Sequence, residues 1–164
     1  MSNKKIDNDS DIENFPNFEL PAIENTREFT LTHNHLMDKT FILYTYPKDS
    51  TSGCTKEAND FSSNLNFFKE KGFTIYGLSK DSIKSHKKFI EKEKISFPLI
   101  SDPDCILIKS LGCWIKKSMY GKEYMGISRS TFLVEPNLVI KKIWRNVKVK
   151  NHVEDVMKMI DFGQ

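Results

Sequence analysis

Phe41-Ile42-Leu43-Tyr44-Thr45-Tyr46-Pro47-Lys48-Asp49-Ser50-Thr51-Ser52-Gly53-Cys54 is the stretch on which the reading of this chain turns. Its first half is a nearly continuous apolar run of strand length, the pattern of a strand buried on both faces. Pro47 to Gly53 carries turn chemistry. From Cys54 the apolar period changes, because Ala58, Phe61, Leu65 and Phe68 are spaced to share one helical face. Cys54 therefore stands at a strand-to-helix turn, at a helix N-terminus, with the Thr51 hydroxyl just upstream. Unpaired N–H groups and the positive end of the helix dipole favour negative charge there, and so favour the thiolate.

Outward from this turn, Phe18-Glu19-Leu20-Pro21 and Glu28-Phe29-Thr30-Leu31 predict short edge elements, where Pro21 is tolerated. Thr32 to Lys39 reads as a turn. The helix after Cys54 is expected to stop at Gly72, beside Lys69 and Lys71. Phe73 to Leu78 reads as a second core strand. Asp81 or Ser82 caps a helix running to about Lys94, with Ile83, Phe89 and Ile90 inward. Phe97-Pro98-Leu99-Ile100 is a short extended piece, and Ser101-Asp102-Pro103-Asp104 opens a helix through about Leu111.

Two strands follow, Ser130 to Val134 and Leu138 to Val149, joined at Glu135-Pro136-Asn137, the second being either one long strand or a strand with a break. Asn151 and Glu154 are placed as a capping box for a last helix striped by Val153, Val156, Met157 and Ile160. This order predicts an α/β three-layer sandwich with a central mixed sheet, the order of the thioredoxin-like fold.

The 164 residues suffice for one domain with a substantial core, expected over residues 15–164. Met1 to Asn14 is polar and reads as a flexible tail; it resembles neither a secretory signal nor a transit peptide, so a cytoplasmic protein is expected. A net charge of +3 is too small to argue for a nucleic-acid or membrane partner. The basic run Lys141, Lys142, Arg145, Lys148 and Lys150 alternates with Ile143, Val147 and Val149, as a strand with one solvated face would. Three cysteines, Cys54, Cys105 and Cys113, make no even-numbered framework and no C-x-x-C pair. Adding His33 or His35 gives no familiar zinc spacing, so neither metal nor cofactor is expected. His33 and His35, flanking Asn34 in a polar turn, read as solvated; His86 lies on a lysine-rich helix face and His152 near a helix start, and no histidine is assigned a catalytic role.

For Cys54 to attack a peroxide, donors must also be aimed at the peroxide oxygens, where charge develops as the O–O bond breaks. Pro47-x-x-x-Thr51-x-x-Cys54 resembles the signature of the peroxiredoxins, thiol peroxidases of thioredoxin-like fold. Arg129-Ser130-Thr131-Phe132-Leu133-Val134 resembles their arginine-bearing strand. Gly53-Cys54-Thr55-x-Glu57-Ala58, Ser101-Asp102-Pro103, Leu111-Gly112-x-Trp114 and Gly121-Lys122-x-Tyr124-x-Gly126-Ile127 are similar to the bacterioferritin-comigratory-protein, or Q-type, group.

The resemblance implies that Cys54 is the peroxidatic nucleophile and becomes a sulfenic acid. It implies that Thr51 orients the peroxide, that Arg129 holds the thiolate and stabilises the transition state, and that Pro47 walls the pocket. Glu57, one helical turn beyond Cys54, is a candidate partner orienting Arg129. The usual Thr-Pro-Gly-Cys reads Thr51-Ser52-Gly53-Cys54, and the position of the common resolving cysteine is Asn59.

The expected cycle is therefore a one-cysteine cycle acting on hydrogen peroxide and alkyl hydroperoxides, with thioredoxin, glutaredoxin or glutathione as reductant. Cys113 or Cys105 is the alternative resolving residue, although a buried structural thiol is the commoner fate for such residues. Passage of the oxidation to a partner protein, as in a sensor or relay, uses the same chemistry at Cys54. The group resembled implies a monomer or weak homodimer.

Overall fold

A computed structural model describes residues 11–162. Strand β1 (Glu19–Glu24) forms a hairpin with β2 (Arg27–Thr32), and a single 3-10 turn at His33–Leu36 leads into β3 (Thr40–Thr45). Helices α1 (Ser52–Ser63) and α2 (Leu65–Glu70) precede β4 (Phe73–Ser79); α3 (Ile83–Glu93), β5 (Leu99–Ser101) and α4 (Ile106–Ser110) follow. A second hairpin, β6 (Trp114–Met119) and β7 (Lys122–Ile127), stands outside the main sheet. The chain closes with β8 (Ser130–Glu135), β9 (Val139–Trp144) and α5 (His152–Phe162).

The main sheet has the order β2-β1-β5-β4-β3-β8-β9. Strands β3, β4 and β5 run parallel at its centre, with antiparallel pairs on both sides, so the sheet is mixed. Alternation along the strands sends side chains to two faces. From β3, Ile42 and Tyr44 enter one core with Phe61, Leu65, Phe68, Phe89, Val156 and Ile160, covered by α1, α2, α3 and α5. Phe41 and Leu43 enter the other with Phe132, Val134, Leu107, Ile108 and Leu111, covered in part by α4. Cys54 belongs to the first core; Cys105 and Cys113 belong to the second. This is the three-layer, thioredoxin-like sandwich expected from the element order.

Several boundaries differ from those the sequence suggests. The helical run is broken at Asn64, whose φ of −110° and ψ of 15° interrupt it; Asn64 Nδ2 donates to Asp60 O at 2.8 Å. Such local side-chain bonding is why asparagine suits helix ends. Helix α4 starts later than expected, because Cys105 takes a left-handed φ of 57°. The Asp102 carboxylate then accepts from the backbone N–H groups of Ile106 (3.0 Å) and Ile108 (2.8 Å). The last strand stops at Trp144, short of Val149, and the chain turns through Asn146 at φ 51°. Asn151 takes φ 63°, not the extended geometry of an N-cap.

Of the segment read as a tail, residues 1–10 lie outside the described residues. Residues 11–14 lie against the sheet: Asn14 bridges Val139, Ile140 N–H donates to Glu13 O at 2.8 Å, and Arg145 Nε donates to Asp11 at 3.0 Å.

Two histidines are buried. His86 is fully buried, with Nδ1 2.7 Å from Asp49 Oδ2 and Nε2 2.9 Å from Ile100 O. His152 is also buried, with Nε2 2.8 Å from Thr131 Oγ1. Burial first, with a smaller push from Arg129, lowers its pKa to about 4.

Candidate active site

The parallel pair β3 and β4 ends its run at Thr45 and Leu78, and the loop from Tyr46 to Thr51 carries the chain into α1. Thr51, with φ −83° and ψ 159°, is the extended residue just before the helix, and Thr55 N–H donates to its carbonyl at 2.8 Å. Ser52 therefore occupies the first helical position, and Cys54 the third. The loop is pinned from behind. Asp49 accepts from Tyr46 OH (2.6 Å) and Ser85 Oγ (2.8 Å) as well as facing His86, while its own N–H donates to Asp81 Oδ2 (2.8 Å).

Asp49, Asp81 and His86 have the ligand atoms of a metal site within 4.8 Å of one another. Donors from Tyr46, Ser79, Ser85 and the backbone already occupy their oxygens, so the cluster reads as the brace of the loop.

Arg129, immediately before β8, reaches back to α1. Nη2 lies 3.5 Å from Cys54 Sγ and Nη1 donates to Glu57 Oε1 at 2.6 Å, so one guanidinium spans the thiol and the carboxylate. Glu57 is fully buried, and its other oxygen has no hydrogen-bond partner among the described residues. Burial therefore raises its carboxyl pKa to about 7 even against the pull of Arg129. Burial works against the charge of Arg129, but Glu57 and Cys54 outweigh it and the guanidinium is held all the more firmly protonated.

Gly53 leaves room for this approach, since a β-carbon there would stand 3.2 Å from Arg129 Nη2 and press it aside by a few tenths of an ångström. The turn before Arg129 is itself fixed: Thr45 Oγ1 donates to Ser128 O (2.7 Å) and accepts from Ser130 N–H (3.0 Å).

Pro47 and Arg129 line an open cleft of about 270 Å³ with Ile115, Lys117, Ser128, Asn146, Val147 and Lys148. A larger hollow of about 670 Å³ between Lys56 and Glu154 includes none of these residues. The Thr51 hydroxyl donates to Lys48 O at 2.9 Å, which leaves its lone pairs for an incoming O–H.

The structure thus gathers Cys54, Glu57 and Arg129 directly, puts Pro47 in the cleft that Arg129 lines, and leaves Thr51 exposed just before α1. Cys105 and Cys113 are not brought in. Cys113 Sγ lies 3.5 Å from Arg145 Nη1 and 3.6 Å from Thr45 Oγ1 in the opposite core. Burial, then the Asp102 carboxylate, push the Cys105 thiol up. Asn59 Nδ2 donates to Glu93 Oε1 of α3 at 3.3 Å. The space-making role of Gly53 and the brace at Asp49 and His86 escape a reading by residue type. The inward spacing of Ile83, His86 and Ile90 was the available signal for the latter.

Residues 13–143 match the model of the AhpC/TSA family. The chain is 46% identical over 116 residues to peroxiredoxin Bcp of Xanthomonas campestris, covering 71% of this chain and 72% of that protein. It is 44% identical over 122 residues to peroxiredoxin Bcp of Bacillus subtilis, covering 74% and 78%.

Among solved structures, the bacterioferritin comigratory protein of Xanthomonas campestris, studied for alkyl peroxide reduction, superposes with a TM-score of 0.81. Its identity is 37%, over 89% of this chain and 91% of that one. PrxQ of Xylella fastidiosa gives a TM-score of 0.83 at 36% identity, over 91% of both chains. The chain belongs to the AhpC/TSA family, in its Bcp or PrxQ group of peroxiredoxins, and is a thiol-dependent peroxidase.

Proposed function

We propose that Cys54 is the peroxidatic residue of this peroxidase and that it reduces hydrogen peroxide and alkyl hydroperoxides in a one-cysteine cycle. The observation that carries the reading is the Arg129 bridge, with Nη2 at 3.5 Å from Cys54 Sγ and Nη1 on Glu57. A guanidinium so placed directs one N–H at the sulfur and keeps its remaining N–H groups for the peroxide oxygens. Thr51 Oγ1, its proton spent on Lys48 O, accepts the peroxide O–H. Pro47 walls the approach, and Glu57 fixes the angle of Arg129.

In the step itself the thiolate attacks the terminal oxygen, the O–O bond breaks, and Cys54 becomes a sulfenic acid. No second thiol stands at the position of Asn59, and the cysteines of the opposite core are separated from Cys54 by the sheet. The sulfenic acid is therefore reduced by an external thiol, thioredoxin, glutaredoxin or glutathione, in a cytoplasmic monomer or weak homodimer.

The test is mass analysis after one equivalent of peroxide, on wild type and on Cys105→Ser and Cys113→Ser. A sulfenic acid retained in all three is expected. An intramolecular disulfide that vanishes in one variant overturns the one-cysteine cycle.

A further inference from the structure

The cleft beside Pro47 and Arg129 holds two further cations that the reading above does not use, Lys148, which is exposed, and Lys117, which is half-buried. Lys117 lies on β6, in a hairpin whose neighbouring Lys116 faces out and sits 3.8 Å from Glu123. Lys117 instead lines the cleft. Its stem crosses β7 at Gly126, where a β-carbon would come within 3.2 Å of Lys117 Cδ. The missing side chain at residue 126 is what lets the lysine lie there. Among the described residues no carboxylate lies within 4.0 Å of its ammonium. Burial and then the Arg129 charge lower its pKa, while the Cys54 sulfur attracts it. Lys117 thus shares its cleft with Arg129, whose Nη2 lies 3.5 Å from the Cys54 sulfur.

We propose that Lys117 is a catalytic acid of this peroxidase, donating a proton to the oxygen that leaves when Cys54 opens the peroxide bond. The proposal rests on Cys54 being the nucleophile. As the S–O bond forms, the electron pair of the O–O bond goes to the second oxygen, which departs as alkoxide or hydroxide and must be protonated. Arg129 is a poor source, because a guanidinium scarcely releases a proton. The Thr51 proton is engaged by Lys48 O. A partly desolvated ammonium facing the cleft is the better acid, since desolvation and a neighbouring cation both weaken its hold on the proton. Lys117 Nζ–H passes to the leaving oxygen, giving alcohol or water, and the neutral amine regains a proton from solvent through the open cleft.

The test compares oxidants by leaving group. The rate constant for Cys54 oxidation is measured in wild type, Lys117→Met and Lys117→Arg with hydrogen peroxide, tert-butyl hydroperoxide and peracetic acid. Hydroxide and alkoxide need a proton as they leave; acetate does not. Lys117→Met is expected to slow the two hydroperoxides by about 100-fold and the peracid by less than about threefold. Lys117→Arg, which keeps the charge but is a far weaker acid, stays slow with the hydroperoxides. An equal loss with all three oxidants, or full recovery in Lys117→Arg, overturns the acid role. Cys54→Ser run alongside separates the two ideas: protein oxidation at an unchanged rate in that variant would defeat the nucleophile assignment itself.

Discussion

Gly53 leaves room for Arg129: a β-carbon at residue 53 would stand 3.2 Å from Nη2, the nitrogen that faces Cys54. Gly53→Ala therefore sets activity against stability. Alanine favours a helical first turn by up to about 1 kcal/mol, so the melting temperature holds or rises. The guanidinium must shift by a few tenths of an ångström, and peroxide reduction is expected to fall about tenfold. Stopped-flow oxidation and thermal melting on the same preparation check both halves.

Arg129→Lys tests whether the fork itself matters. One ammonium cannot hold Glu57 at 2.6 Å with one nitrogen and face Cys54 with another. The rate constant for Cys54 oxidation should drop by about 100-fold despite the retained charge. A loss below threefold, as an order-of-magnitude threshold of roughly half a kcal/mol, would mean that charge alone suffices.

His152 makes the fold sensitive to acid. Its native pKa of about 4 lies below the ordinary 6.5, so the unfolded chain takes up a proton that the native state refuses. Stability supplied by the neutral ring is complete above 6.5 and is lost as pH falls toward about 4. His152→Gln should show a shallower fall of melting temperature across that window than wild type. Parallel curves would contradict the assignment.

Ser52 stands at the first helical position, where the fixed φ of proline fits and its missing N–H is no loss. Thr51 before it is already extended, the conformation a following proline requires. Ser52→Pro should raise stability by about 0.5 kcal/mol, read as a small rise in denaturation midpoint.

The turn around Cys54 was legible because period changes from strand to helix within a few residues, and the two apolar faces of β3 follow from its unbroken run. The break at Asn64 was hidden because Leu65 and Phe68 keep the inward spacing on either side of it. The β6–β7 hairpin left no pattern, since most of its residues are exposed on both faces. Its turn, Tyr120-Gly121, has positive φ at both positions, and tyrosine gives none of the usual signal for that geometry. His86 sits among Lys84, Lys87 and Lys88, whose charges disguise an inward position. The meeting of Arg129 with Cys54 is a long-range contact across 75 residues, which spacing cannot express. Only the resemblance to a family pointed to it.

Peroxide is expected to oxidise Cys54 first: its guanidinium, Arg129, lines an open cleft with Pro47, whereas Cys113, equally close to Arg145, lies in the opposite core. The direct measurement is peptide mapping by mass spectrometry after a substoichiometric pulse of hydrogen peroxide in the presence of a sulfenic-acid trap. The adduct is expected on the Cys54 peptide alone, and is expected to be lost in Arg129→Lys at the same exposure. Adducts appearing first on Cys105 or Cys113, or unchanged labelling of Cys54 in the arginine variant, would contradict it.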